Sequence, residues 1–131
     1  MAWIRMCGGS KKPSFPWNAL TDGTWNRTSI TSSSSASMSM ECLTLTPKLT
    51  SASRLTTNIS CTTSNWVTHT IVVSTDGVSW NTISSAQTGT NINFNISLSS
   101  YVGQQLYIRV IWSNGTGGSQ TSTITSCVVT G

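Results

Sequence analysis

The sequence is short of charge, and of acid above all. Seven lysines and arginines stand against three carboxylates, Asp22, Glu41 and Asp76, and one histidine, His69. General acid–base hydrolysis ordinarily needs two placed carboxylates, or one with a tuned partner. Asp22 and Asp76 each precede a glycine, the signature of a turn, which leaves Glu41 as the one carboxylate in a strand-like setting. His69 is in phase with Val67, Ile71 and Val73, so it reads as a core or edge histidine rather than a base. Serine is abundant, yet no G-x-S-x-G elbow occurs. The expectation is a protein that is not an enzyme.

Metal and cofactor chemistry find equally little. Cys7, Cys42, Cys61 and Cys127 show no C-x-x-C spacing, which speaks against a zinc site. Four cysteines allow three disulfide pairings, and sequence does not choose among them. Cys61 and Cys127 fall in strand-like segments and read as buried thiols, and Cys7 as the exposed one. The Gly115-Thr116-Gly117-Gly118 run lacks the lysine and following helix of a phosphate loop. No metal and no cofactor is expected.

The cations do not gather. Arg5, Lys11 and Lys12 lie near the start, while Arg27, Lys48, Arg54 and Arg109 are scattered. Nucleic-acid binders concentrate basic charge on one face, so the net charge of +4 reads as a weakly charged surface with a basic arm. No run approaches the roughly 20 apolar residues of a membrane helix. The opening MAWIRMCGGS also lacks the apolar stretch of about seven residues that a secretory signal requires. Residues 1–17 are expected to form an arm, jointed at Gly8 and Gly9, and residues 18–131 a single domain. Trp3 and Ile4 make the arm apolar enough to grip the domain or a neighbouring copy, so a homo-oligomer is expected.

What remains is rich in strand and turn formers. Serine and threonine make up about a third of the chain, and the helix formers Lys, Glu, Ala and Leu are thin. Ile92, Phe94, Ile96 and Leu98 alternate with Asn91, Asn93, Asn95 and Ser97, the period of a half-buried strand. Leu106, Ile108, Val110 and Trp112 open a second alternation. Leu55, Thr57, Ile59 and Cys61 form another inward row, as do Val67, His69, Ile71 and Val73. Thr75-Asp76-Gly77 turns the chain into a hairpin that returns over residues 78–84. Met38, Met40 and Cys42 alternate, then the phase changes at Leu43, which suggests a bulge or a crossing between sheets. With Ser122–Thr130 as the last strand, about eight strands are expected. The fold class is all-β, a two-sheet jelly-roll-like β-sandwich.

The stretches LTLTPKLTSASRLTTNIS, HTIVVSTDGVSWNTI and ISLSSYVGQQLYIRVIW carry a likeness. They resemble the jelly-roll modules of the cleaved-adhesin and choice-of-anchor type, relatives of MAM-like domains. Ser74, Thr75, Asp76, Gly77 and Trp80 match the hairpin of that pattern. Leu98, Ser99, Tyr101, Gly103 and Gln104 match its turn, and residues 106–112 its following strand. The resemblance covers roughly residues 43–112. Its acidic closing segment, sometimes near calcium, has no counterpart in residues 119–131, which hold no carboxylate. The opening MAWIRMCGGSKK resembles short structural proteins of phages and prophages of Gram-positive bacteria.

Sugars offer apolar C–H faces to aromatic rings, while amides and charged groups take the hydroxyls. Trp80 and Trp112 are expected in the core. Trp25 and Trp66 adjoin polar residues in loop-like settings, and Tyr107 and Arg109 share the outward parity of their strand. These four, Trp66, Trp25, Tyr107 and Arg109, are the candidate ligand-binding residues. The leading expectation is a non-catalytic phage virion structural or accessory protein on the virion surface. It would be made in the host cytoplasm, assemble with itself or other virion proteins through the arm, and recognise host surface glycans. The alternative is a secreted or cell-surface carbohydrate-binding or adhesin module. The third reading is a glycan hydrolase, which would need a second acid beside Glu41.

Overall fold

The structure, a computed structural model, describes residues 14–33, 35–115 and 118–131. Among the described residues nine strands, where about eight are expected, form two antiparallel sheets packed as the sandwich the alternation predicts. They are β1 (Trp17–Asn18), β2 (Ser29–Ser32), β3 (Ala36–Glu41), β4 (Arg54–Cys61), β5 (Val67–Ser74), β6 (Asn81–Thr82), β7 (Asn91–Ser97), β8 (Tyr107–Asn114) and β9 (Gln120–Thr130). One sheet runs β1-β9-β4-β7, with β2 also paired to β9; the other runs β3-β8-β5-β6. No helix among the described residues is long and apolar enough to cross a membrane.

Period-two alternation builds the core directly. The four inward residues of β4, Leu55, Thr57, Ile59 and Cys61, are buried, and so are Val67, His69, Ile71 and Val73 of β5. Ile92 and Phe94 of β7, Ile124, Cys127 and Val129 of β9, and Ile108, Val110 and Trp112 of β8 complete the two facing layers. Each fully buried Val, Leu or Ile contributes roughly 1.5–3 kcal/mol relative to exposure, so these rows drive the sheets together. The phase change after Cys42 is a crossing. β3 ends at Glu41, and β4 begins in the opposite sheet. The connection is not loose: the Cys42, Thr46 and Leu49 amides donate in turn to the carbonyls of Ile108, Leu106 and Gln104.

The expected Asp-Gly hairpin joins β5 to β6, with Val72 opposite Thr82 and Val73 opposite Asn81. Gly77 takes φ +77°, a left-handed conformation that glycine adopts without steric cost. Asp76 Oδ1 accepts from the amides of Val78 (2.8 Å) and Ser79 (2.9 Å) and from the Ser74 hydroxyl (2.9 Å). These donors favour the charged form and hold the carboxyl below its ordinary range. Asp22 is likewise structural. It ends a short helix, Ala19–Asp22, at the expected Asp22-Gly23 turn, and its Oδ2 accepts the Asn18 amide at 3.1 Å.

Of the expected arm, residues 1–13 lie outside the described residues. Its last residues rest on the sandwich, Phe15 against the core and Trp17 paired with Val129.

Candidate functional site

The outer face of the β3-β8-β5-β6 sheet holds the densest group of functional side chains. On β8, Ile108, Val110 and Trp112 point inward, so Tyr107, Arg109 and Ile111 point out. Register then decides their neighbours. Arg109 lies between Glu41 of β3 and Val72 of β5. Its Nε and Nη2 donate to Glu41 Oε1 at 3.0 and 2.7 Å. Asn26, beside the edge of β3, accepts the Glu41 amide on its Oδ1 at 2.7 Å and steadies that end of the row.

Trp80 completes the group. Its ring centroid lies 3.8 Å from the guanidinium carbon of Arg109, a cation–π stack. Trp80 precedes β6, and β5 separates β6 from β8, so the indole reaches across β5 to meet the arginine. Val72, the outward residue between them, is only 7% exposed. This corrects the expectation that Trp80 fills the core: it is half-buried on the outer face. Tyr107, two residues before Arg109 on the same face of β8, lies beneath the Asp76-Gly77 turn, its Cε2 3.5 Å from where a Cβ on Gly77 would lie. The ion pair neutralises itself, and Oε2 of Glu41 has no protein partner among the described residues. Aromatic surface thus lies beside paired acceptor and donor groups in an open, half-exposed setting.

The other two candidates lie elsewhere. Trp66 is 62% exposed, with φ +77°, in the loop between β4 and β5. Val67 pairs with Asn114 and Ser74 with Tyr107, so Trp66 stands at the opposite end of the sheet, about 23 Å away along the strand. Trp25 forms a bridge with buried Cys42 and points inward. Its Nε1 donates to the Ala19 carbonyl at 2.9 Å, and its ring packs on the core. Tyr107 and Arg109 are therefore brought together, with Glu41 and Trp80, which are not among the four binding candidates expected from the sequence. A signal for Trp80 was available in the hairpin: Thr82 pairs with outward Val72, and Trp80, two residues earlier, shares its parity.

A second polar cluster is sealed inside. His69 Nε2 lies 2.8 Å from Ser122 Oγ, and the Trp112 indole N–H donates to the same oxygen at 2.9 Å. His69 Nδ1 lies 3.4 Å from the Gln87 carbonyl, which only accepts. The proton therefore belongs on Nδ1, and the Ser122 hydroxyl donates to Nε2. This Ser–His arrangement has hydrolase chemistry in principle, but both residues are 0% exposed and no substrate reaches them. Burial pushes the His69 pKa below its ordinary value, because the charged ring would lose its hydration.

A pH dependence follows. Above about pH 6.5 the ring is neutral both folded and unfolded, and this group gives no slope. Below it, the unfolded chain takes up a proton that the folded one refuses, so stability falls with pH by up to about 1.4 kcal/mol per unit. Urea midpoints between pH 7.5 and 5 should show the decline in wild type and lose it in His69→Gln. An equal slope in both would remove His69 as its source.

The cysteines carry no chemistry here. Cys42, Cys61 and Cys127 are free and buried, and burial pushes the Cys127 thiol up to about 12. Cys7 lies outside the described residues. Among the described residues no cluster of His, Cys, Asp or Glu could hold a metal ion.

No family model and no curated protein matches the sequence. Solved structures do share its fold. The glycoside hydrolase domain of Endo-D from Streptococcus pneumoniae R6 superposes with a TM-score of 0.57 at 12% identity over 78% of this chain. The carbohydrate-binding module TmCBM61, in complex with β-1,4-galactotriose, superposes with a TM-score of 0.52 at 13% identity over 77% of this chain. The chain spans 17% of the first protein and 67% of the second. These likenesses establish the fold: a β-sandwich of the kind found in both a carbohydrate-binding module and a glycoside hydrolase domain.

Proposed function

We propose that this domain is a non-catalytic carbohydrate-binding module whose ligand lies on the outer face of the β3-β8-β5-β6 sheet. The observation that carries the proposal is Trp80 stacked on the guanidinium of the Arg109–Glu41 pair, with Tyr107 two residues from Arg109 on the same face. An indole fixed on one face by a guanidinium offers its other face to the C–H surface of a sugar ring. The free Oε2 of Glu41 accepts a hydroxyl proton, and the unused Arg109 N–H groups donate to a hydroxyl oxygen. Because the ion pair is neutral, the fit is to an uncharged glycan.

Two solved structures with this fold come from carbohydrate-active proteins, one of them holding a galactotriose, which supports sugar binding over the virion reading. The virion reading rests on the opening dozen residues, outside the described part of the chain. The non-catalytic part rests on the carboxylates. Asp22 accepts the Asn18 amide, Asp76 closes its turn, and Glu41 is bound to Arg109 without a second acid beside it.

A glycan array containing β-1,4-galacto-oligosaccharides and bacterial cell-wall polysaccharides, with a reducing-end assay on every hit, tests this. Saturable binding without turnover is the expected result. Absence of binding to every neutral glycan would overturn the proposal, and turnover abolished in Glu41→Gln would overturn its non-catalytic part.

A further inference from the structure

Every strand edge in a sheet offers unpaired main-chain groups to another chain. Among the described residues, three of the four edges are short or partly covered. Beyond β9 the edge is divided between β1, of two residues, and β2, of four. Residues 24–26 cover the end of β3, where the Asn26 amide donates to the Glu41 carbonyl and the Leu43 amide to the Thr24 carbonyl. β6 is only two residues long. The remaining edge is β7, seven residues reading NINFNIS, with no charge, no proline and no bulge against β4.

The pairing parity shows which groups face out. The Cys61 amide donates to the Thr90 carbonyl and the Leu98 amide to the Ser53 carbonyl. Both pairs continue the β4–β7 register, so the even-numbered residues of β7 exchange bonds with β4. The odd ones, Asn91, Asn93 and Asn95, therefore aim both N–H and C=O at the free edge. No described residue meets these main-chain groups.

We infer that β7 pairs antiparallel with β7 of a second copy, about a two-fold axis at Asn93. The occupant follows from self-complementarity. In that register Asn93 faces Asn93 of the partner subunit, and Asn91 faces the partner's Asn95. The outward-aimed main-chain groups then meet each other. On the outer face amide faces amide, and the nearest charge, Arg54 of β4, is one strand away and donates to Asn95 Oδ1 at 2.8 Å; on the inner face Ile92 meets the partner's Phe94, and the apolar layer continues. Two five-stranded sheets become one. The axis is perpendicular to the sheet, so both four-stranded sheets lie on the same side of the dimer. On the proposed glycan reading, the two Trp80 platforms then face one polysaccharide surface together, which raises avidity without a new contact.

The test needs no sugar, so its failure is distinct from failure of the glycan reading. Light scattering of the full chain should give a dimer. Asn93→Lys puts two like charges opposite each other on the axis and should give a monomer with an unchanged circular dichroism spectrum. Asn91→Lys with Asn95→Glu, which creates two opposite-charge pairs, should remain dimeric. Under oxidation Asn93→Cys should cross-link to its own copy, since directly paired Cα atoms lie about 5.5 Å apart. Asn91→Cys should not, being about 14 Å from its counterpart. A monomeric wild type overturns the inference. So does a dimer that survives Asn93→Lys and shows no cross-link at position 93, which would place the interface elsewhere.

Discussion

Replacing Trp112 by alanine is expected to cost about 3–5 kcal/mol of stability, the range for truncating a large buried aromatic. Two losses combine. Trp112 is 0% exposed and packs on β8 between Met38 and His69, so its removal leaves a cavity the sheets cannot close. Its indole N–H is also a donor to Ser122 Oγ at 2.9 Å, and without it that buried oxygen loses a partner. Trp112→Phe separates the terms, because it keeps most of the volume and removes only the donor. Its cost should be smaller, about 1–3 kcal/mol. Trp66→Ala is the control: at 62% exposure it should change stability by no more than about 0.5 kcal/mol. Whole domains are stable by only about 5–15 kcal/mol, so the alanine variant will be marginal or unfolded at 37 °C. Urea unfolding by tryptophan fluorescence and circular dichroism reads all three. An alanine variant within 0.5 kcal/mol of wild type would mean that the described core is wrong.

The second large effect is on binding. Once the array has supplied a ligand, Trp80→Ala should weaken its binding by about 2 kcal/mol or more, roughly 30-fold in Kd, as expected when an aromatic anchor is truncated. Its stability should shift far less, since it removes a half-buried ring and one cation–π contact worth about 0.5–1 kcal/mol. Calorimetric titration of folded wild type, Trp80→Ala and Trp66→Ala decides where the ligand sits. The two tryptophans occupy opposite ends of the sheet, so the proposed site predicts that Trp66→Ala binds like wild type. Binding lost in Trp66→Ala and kept in Trp80→Ala would move the site to the loop between β4 and β5. Arg109→Lys offers a finer probe. A lysine keeps the charge but loses the planar plate beneath the indole, so binding should fall although the pair with Glu41 can re-form.

The two experiments draw on features that differ in how far the sequence discloses them. Leu55, Thr57, Ile59 and Cys61 announce an inward row through spacing alone, because a strand turns each side chain to the opposite face of its neighbour. The same parity placed His69 among apolar neighbours, Trp112 in the core and Tyr107 with Arg109 outside. The Asp76-Gly77 turn is equally local, since its geometry depends on one left-handed glycine and one short acceptor.

The candidate site was less visible. Glu41 and Arg109 are 68 residues apart, and only the pairing of β3 with β8 puts the carboxylate beside the guanidinium. Trp80 looked like a core residue because tryptophan on a strand usually is one. Its outward side is set by the hairpin register, and its stack on Arg109 by the lateral order of the sheet. The wide separation of Trp66 from Tyr107 and the inward turn of Trp25 were hidden for the same reason.

By itself, then, the sequence determined which residues of the alternating strands turn inward, where the Asp76-Gly77 hairpin reverses the chain, and that the fold is a two-sheet sandwich. Only the tertiary structure decided which strands lie side by side. It thereby assembled Trp80, Arg109, Glu41 and Tyr107 and left β7 as the long uncovered edge. The physical reason is that alternation is a property of one strand, fixed by backbone geometry, whereas neighbours across a sheet are chosen by the packing of the whole chain.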